Sequence, residues 1–299
     1  MSLNPGKLQK PLRKLRKMVK RFPRKSSPDL IHDLRIHTRR TEALLQALRL
    51  DSKSNEQQLL KAVKPVRKRA GKVRDMDVLT GLVTRLHPDG EQDCLLELLE
   101  HLGAEHDRQA RKLRNAVRSR GGEIRRRLKR TSRFIAKFID KTLARDEKQP
   151  AGRASEWPAD AMAAALELSA ELAQWPRLDA ENLHPYRLKV KELRYILQLA
   201  DKPETAFVKM LGDVKDAIGE WHDWQELGGI AKKVLIHGPR CEVLRLIGSM
   251  NRTKFEHALS LANRMRQEYL QERERNRKRR QAAAHLKRPV MEATSSLAA

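Results

Sequence analysis

The sequence predicts an all-α fold made of two tandem, related helical bundles. Apolar residues recur at spacings of three and four, as in Leu34, Leu44, Leu45 and Leu48, or Leu95, Leu98, Leu99 and Leu102. That spacing is the stripe of an amphipathic helix. No run alternates with period two or gathers β-branched and aromatic residues, so no strand is expected. The third observation is internal: segments of the first half recur, in order, in the second half.

Breaks rich in Pro, Gly, Ser, Asp and Asn divide the chain into helices near 5–22, 28–50, 54–86, 91–119, 122–145, 158–174, 180–200, 203–236 and 239–280. The paired glycines Gly121-Gly122 and Gly228-Gly229 read as helix ends. The most polar break, near 145–155, is the expected linker between bundles at 1–145 and 156–282. Residues 283–299 read as a disordered tail.

The first helix superficially suits a transit peptide: the first 25 residues carry ten Lys/Arg and no acid. However, Leu8, Leu12, Leu15, Val19 and Phe22 form one helical stripe. The helix also stands where 158–174 stands in the second half. It is therefore expected to be a packed first helix rather than an address or a membrane-surface segment.

The duplication has two anchors. Phe22-Pro23-Arg24 precedes Ile31-His32-x-x-Arg35, and Trp175-Pro176-Arg177 precedes Leu183-His184-x-x-Arg187, at offsets of 153 and 152 residues. The stretch Gly71 to Leu79 then aligns with Gly219 to Leu227 at an offset of 148.

Charge follows the same pattern once the ends are set aside. The chain holds 64 Lys+Arg against 38 Asp+Glu, a formal net charge of +26, which calls for a polyanionic partner. The first 25 residues supply +10 and residues 271–299 supply +5. Residues 108–133 hold twelve basic side chains and one acid, Glu123. Such runs ordinarily form solvated faces or arms. The more informative charges are duplicated. His184, Arg187, Lys191 and Arg194 fall within about 80° of one helix face. His32, Arg35 and Arg39 repeat the first three positions with Arg40 beside them, while Glu42 takes the fourth. The next helix of each half carries Lys64, Arg67, Gly71 and Arg74, or Gly212, Lys215, Gly219 and His222. Glycine at 71 and 219 costs up to about 1 kcal/mol of helix propensity each, so close approach of a neighbouring helix is expected there. Two such faces, converging across a pseudo-two-fold axis, would form a groove that focuses positive potential on a linear polyanion. Arginine offers forked donors to phosphate oxygens, and lysine a mobile charge.

At these residues the sequence resembles the CHAD domain family. The matching segments are Ile31-His32-Asp33-Leu34-Arg35-Ile36-His37-Thr38-Arg39-Arg40, Val73-Arg74-Asp75-Met76-Asp77-Val78-Leu79, and His184-Pro185-Tyr186-Arg187-Leu188-Lys189-Val190-Lys191-Glu192-Leu193-Arg194-Tyr195. The resemblance implies two tandem four-helix bundles related by pseudo-two-fold symmetry, with a basic central cavity. It implies binding of inorganic polyphosphate, often at polyphosphate granules, without catalysis. The family's basic and histidine positions fall on His32, Arg35, Arg39, Arg40, Arg74, His184, Arg187, Lys191 and Arg194. Lys64, Arg67 and Lys215 are expected to flank them. Departures from the family pattern are Glu42, Glu192 opposite Arg40, and His222 opposite Arg74.

Other chemistries fit less well. His32-Asp33 and His222-Asp223 invite a metal-dependent phosphohydrolase. His32 and His37 nevertheless lie about 140° apart on their helix, and the remaining histidines lack ligand spacing such as HExxH. Asp75 and Asp223 read as structural carboxylates that orient Arg or His of a neighbouring helix. No P-loop is present. A non-specific RNA/DNA-binding protein is the main alternative, working through the basic arms or residues 108–133. Against it, aromatics are 4% of the chain, and Trp157, Trp175, Trp221 and Trp224 sit in packing contexts rather than on a base-stacking surface. No window of about 18 apolar residues predicts a transmembrane helix, so no membrane partner is expected. Cys94 and Cys241 form no CxxC pair, which fits a reducing, cytoplasmic setting. No cofactor and no metal are expected.

Overall fold

The computed structural model describes residues 5–88, 90, 92–146, 156–199, 204–236 and 241–271. The 283–299 tail and most of the 145–155 linker lie outside them.

Among the described residues eight α-helices follow in order: α1 Pro5–Lys20, α2 Pro28–Ala47, α3 Ser54–Val83, α4 Gln92–Asp146, α5 Glu156–Ala173, α6 Leu183–Leu197, α7 Thr205–Val234 and α8 Glu242–Met265. A π-helical turn, Arg266–Gln271, continues α8. The described residues contain no strand. α2 begins as the sequence dictates: Ser27 caps it by accepting from the Leu30 N–H at 3.2 Å, and Pro28 takes the first turn, where its missing N–H is harmless. The loop before α6 is tied by its own side chains. Asp179 accepts from the backbone N–H of Glu181 and Asn182 at 2.9 and 3.0 Å, and Asn182 donates to the Arg177 carbonyl at 2.8 Å.

Two sequence expectations need correction. Gly121-Gly122 ends no helix; α4 runs unbroken through it for 55 residues. A Cβ on Gly121 would meet Val19 Cγ1 at 3.3 Å, so this glycine admits α1 rather than terminating α4. Gly228-Gly229 likewise lies inside α7, where a Cβ on Gly228 would touch Ile247 of α8 at 3.5 Å. With α4 continuous, the described residues hold four α-helices up to Asp146 and four from Glu156 on.

The packing partners repeat. α1 packs on α2 and α4, α2 on α3, and α3 on α4; α5 packs on α6 and the π-helical turn, α6 on α7, and α7 on α8. The halves meet where α2 touches α6 and α3 touches α7. The core runs across that boundary. One apolar cluster joins Leu12, Leu34, Val66 and Leu128 to Tyr186, Val190, Phe207 and Trp221. A second joins Leu79, Leu98 and Leu102 to Trp224, Leu227 and Ile247. Burying each such side chain contributes roughly 1.5–3 kcal/mol. No helix among the described residues is long and apolar enough to cross a membrane.

Candidate polyanion-binding site

α2, α3, α7 and α6 close a ring in which each helix packs on the next. Apolar residues of α2 and α6 (Leu34, Leu44, Leu45; Val190, Leu193, Ile196) sink into the core, which turns their basic faces toward the other members of the ring. Arg187 and Arg35 lie near enough to repel one another, and Lys191 feels Arg187, Arg39, Arg35 and Lys215. The faces of the two halves thus form one cationic cluster.

Glycines shape it. The Arg187 guanidinium lies over Gly219: a Cβ there would fall 3.0 Å from Arg187 Cζ and nearer still to a terminal nitrogen. Arg187 Nε donates to the Lys215 carbonyl at 2.9 Å. Arg194 uses Gly212 in the same way, with 3.3 Å from a Cβ to its Nε. At the matching position of the first half, Arg35 Nε stands 4.0 Å from a Cβ on Gly71. These are the close approaches that glycine in a helix implied, except that the incoming group is an arginine side chain rather than helix backbone.

Lys191 is the most confined cation, only 8% exposed. Burial, then Arg187, Arg39, Arg35 and Lys215, holds its pKa down at about 6. His184 stacks on His222 with ring centroids 4.3 Å apart, and burial followed by His222, Arg187 and Lys191 lowers its pKa to about 4. His32 is lowered by burial and then by Arg74 and Arg35. The His184/His222 pair of one half therefore corresponds to His32/Arg74 of the other. Burial also lowers Arg39, with Arg67 adding to the effect and Glu42 opposing it.

Glu42 has a definite role. It pairs with Arg67 at 2.9 Å and Arg39 at 3.7 Å, so the first half is partly neutralised where Arg194 of the second has no such partner among the described residues. Lys215 pairs with Asp216. Lys64 is exposed on α3 and makes no ion pair with the cluster among the described residues. Arg40 is exposed as well and lines a separate cavity with His37 and Lys10. Asp75 and Asp223 do lie among the cations. Burial raises both, Asp223 to about 6, with Arg187 and Arg35 opposing the rise in Asp223 and Arg35 opposing it in Asp75. Neither makes an ion pair within 4.0 Å among the described residues; Arg187 is oriented instead by the Lys215 carbonyl and the space over Gly219. Glu226, which sequence reasoning missed, acts on Asp75, His222 and Asp223. Its place in the stripe Gly219, His222, Asp223, Glu226 was the available signal.

The cluster offers polar atoms lacking partners. Arg39 Nε, Arg194 Nε and the Nδ1 atoms of His32 and His184 are buried without a hydrogen-bond partner among the described residues. Unmade bonds of that kind cost free energy that an acceptor-rich ligand restores.

The family model of the CHAD domain matches residues 7–231. The chain belongs to the CHAD domain family. Among solved structures, the CHAD domain from the plant Ricinus communis superposes with a TM-score of 0.61 at 16% identity, covering 88% of this chain and 89% of that one. PptA from Streptomyces chartreusis gives a TM-score of 0.55 at 17% identity, covering 89% and 98%. At these identities the likeness bears on the fold alone. No curated protein matches the chain. The CHAD fold of this chain is thus all-helical, with the cationic cluster at the meeting of its halves.

Proposed function

We propose that this CHAD protein binds inorganic polyphosphate in the groove between its halves and performs no catalysis on it. The observation that carries this reading is Lys191: a buried amine on which the strongest charged influences, Arg187, Arg39, Arg35 and Lys215, come from cations. Crowding of like charge is costly in a free protein and is relieved by a multivalent anion. A linear phosphate polymer supplies regularly spaced oxygens to donors on both halves without requiring base recognition. His32 and His184, held neutral, donate or accept a hydrogen bond according to tautomer. The matching cellular setting is the cytoplasm, at polyphosphate granules.

A non-specific nucleic-acid reading draws on α4, where Arg108 and Arg120 are 60% and 54% exposed and Arg118, Arg125, Arg126, Lys129, Arg130 and Arg133 also face solvent. Titration of the protein with long-chain polyphosphate, RNA and duplex DNA at matched salt separates the two readings. Groove binding predicts tighter binding of polyphosphate than of either nucleic acid as salt rises and screens the exposed α4 charges. Equal affinity for all three polymers at every salt concentration contradicts it. Phosphate release from polyphosphate in the presence of divalent metal would contradict the non-catalytic part.

A further inference from the structure

A second cavity, of about 330 Å3, opens between α1, α2, α6 and α7. Its polar lining is Lys10, His37, Arg40, Tyr195 and Gln198. Pro11, Leu44, Leu199 and Val208 supply an apolar wall. None of Arg35, Arg39, Arg187 or Lys191 lines it. Two features point to a ligand. The lining brings two cations, Lys10 and Arg40, to one concavity with no carboxylate among the described residues that line it. His37 is 3% exposed, yet its Nδ1 has no hydrogen-bond partner among the described residues. A buried polar atom of that kind normally has a partner.

We infer that this cavity is a binding site for a small phosphomonoester, its phosphate held by Lys10, Arg40 and His37 and its apolar body set against Leu44 and Val208. The mixed lining selects the ligand class. Bare polyphosphate is anionic along its whole length and gains nothing from Pro11, Leu199 and Val208. An uncharged apolar molecule would leave Lys10, Arg40 and His37 unanswered. The volume lies at the lower end of the range for small-molecule sites, which suits a compact ester. His37 serves as a neutral hydrogen-bonding group: burial, followed by Arg40 and Lys14, with Asp33 opposing and Lys10 adding, lowers its pKa to about 4. Tyr195 of α6 and Gln198, which caps its C-terminus, add a hydroxyl and an amide to the lining. The site stands apart from the polyphosphate reading and does not depend on it.

The test is titration of the full chain with butyl phosphate and, separately, inorganic phosphate, followed by amide and imidazole NMR shifts and by calorimetry. Butyl phosphate is expected to move the His37 ring signals and to bind at least about tenfold more tightly than inorganic phosphate, a difference of about 1.4 kcal/mol. Arg40→Ala removes an exposed cation and should weaken butyl phosphate by at least about tenfold. Val208→Phe fills the cavity from α7 and should abolish butyl phosphate binding while polyphosphate affinity stays at the wild-type level. Thermal melts establish that both variants fold. Equal binding of the two phosphates overturns the inference, as does binding that neither variant affects. Absence of any butyl phosphate binding by the folded wild type overturns it as well.

Discussion

Gly71 and Gly219 occupy matching positions on α3 and α7 but face different demands. Arg187 fills the space over Gly219, whereas Arg35 stops 4.0 Å short of a Cβ on Gly71. Gly71→Ala should therefore stabilise the protein by about 0.5–1 kcal/mol through helix propensity and leave polyphosphate affinity intact. Gly219→Ala gains the same propensity but evicts the Arg187 guanidinium, so melting should show little net change while affinity falls about tenfold or more. Calorimetry and thermal denaturation of both variants check the contrast. Lys191 makes the second prediction at this scale. Its pKa, about 6 in the free protein, rises when a polyanion binds, so binding takes up a proton. Affinity should climb as pH falls from 8 towards 6 and level off below about 6. Protonation of Asp223, also near 6, acts in the same direction. For stability the sign is the reverse: the unfolded chain holds the Lys191 proton up to the ordinary lysine range, so burial of Lys191 destabilises most at low pH and less as pH rises. Lys191→Met should raise stability at neutral pH by about 1–2 kcal/mol and flatten much of the pH dependence of binding, measured by titration across that range. The cationic positions on α2 and α6 were legible from spacing alone. The lowered pKa of Lys191 was not, because burial is a property of four helices rather than of one.

At the scale of elements, α4 carries the main lesson. Paired glycines and a change of composition suggested two helices, yet the chain continues as one because Gly121 faces α1 and needs no turn. Sequence does not distinguish a glycine that ends a helix from one that admits a neighbour. α4 is fastened to α3 by a buried network. Thr131 donates to the Glu56 carboxylate at 2.7 Å, and Asn55 donates to Glu56 at 2.8 Å and to Thr131 at 3.0 Å. Gln9 of α1 exchanges two further hydrogen bonds with Ser132, donating to its carbonyl and accepting from its hydroxyl. Thr131→Val keeps the shape but removes the donor, leaving a carboxylate that is 5% exposed short of one bond. It should cost about 1–3 kcal/mol in chemical denaturation without altering polyphosphate affinity, since the network joins the first turn of α3 to α4 and includes none of the clustered cations. The Glu42 pairing with Arg67 and Arg39 was likewise hidden: as a departure from the repeat its position was plain, but its partners lie partly on another helix.

Across the whole molecule, the packed neighbours run in the same order in the part before the 145–155 break and in the part after it. The shared core was less legible. Both apolar clusters draw residues from both halves, so Trp224 and Leu98 belong to one unit although the sequence separates them into different bundles. That sharing holds α2 beside α6 and lets Arg35 and Arg187 confront each other and crowd Lys191, on which the proposed function rests. The decisive measurement is the affinity of long-chain polyphosphate for Arg35→Ala, Arg187→Ala and the double variant at about 0.15 M salt, where exposed charges are screened beyond roughly 8 Å. A groove shared by the halves predicts that each single substitution weakens binding by about tenfold or more and that the double variant binds polyphosphate no better than duplex DNA. A double variant that binds polyphosphate as the wild type does would contradict it.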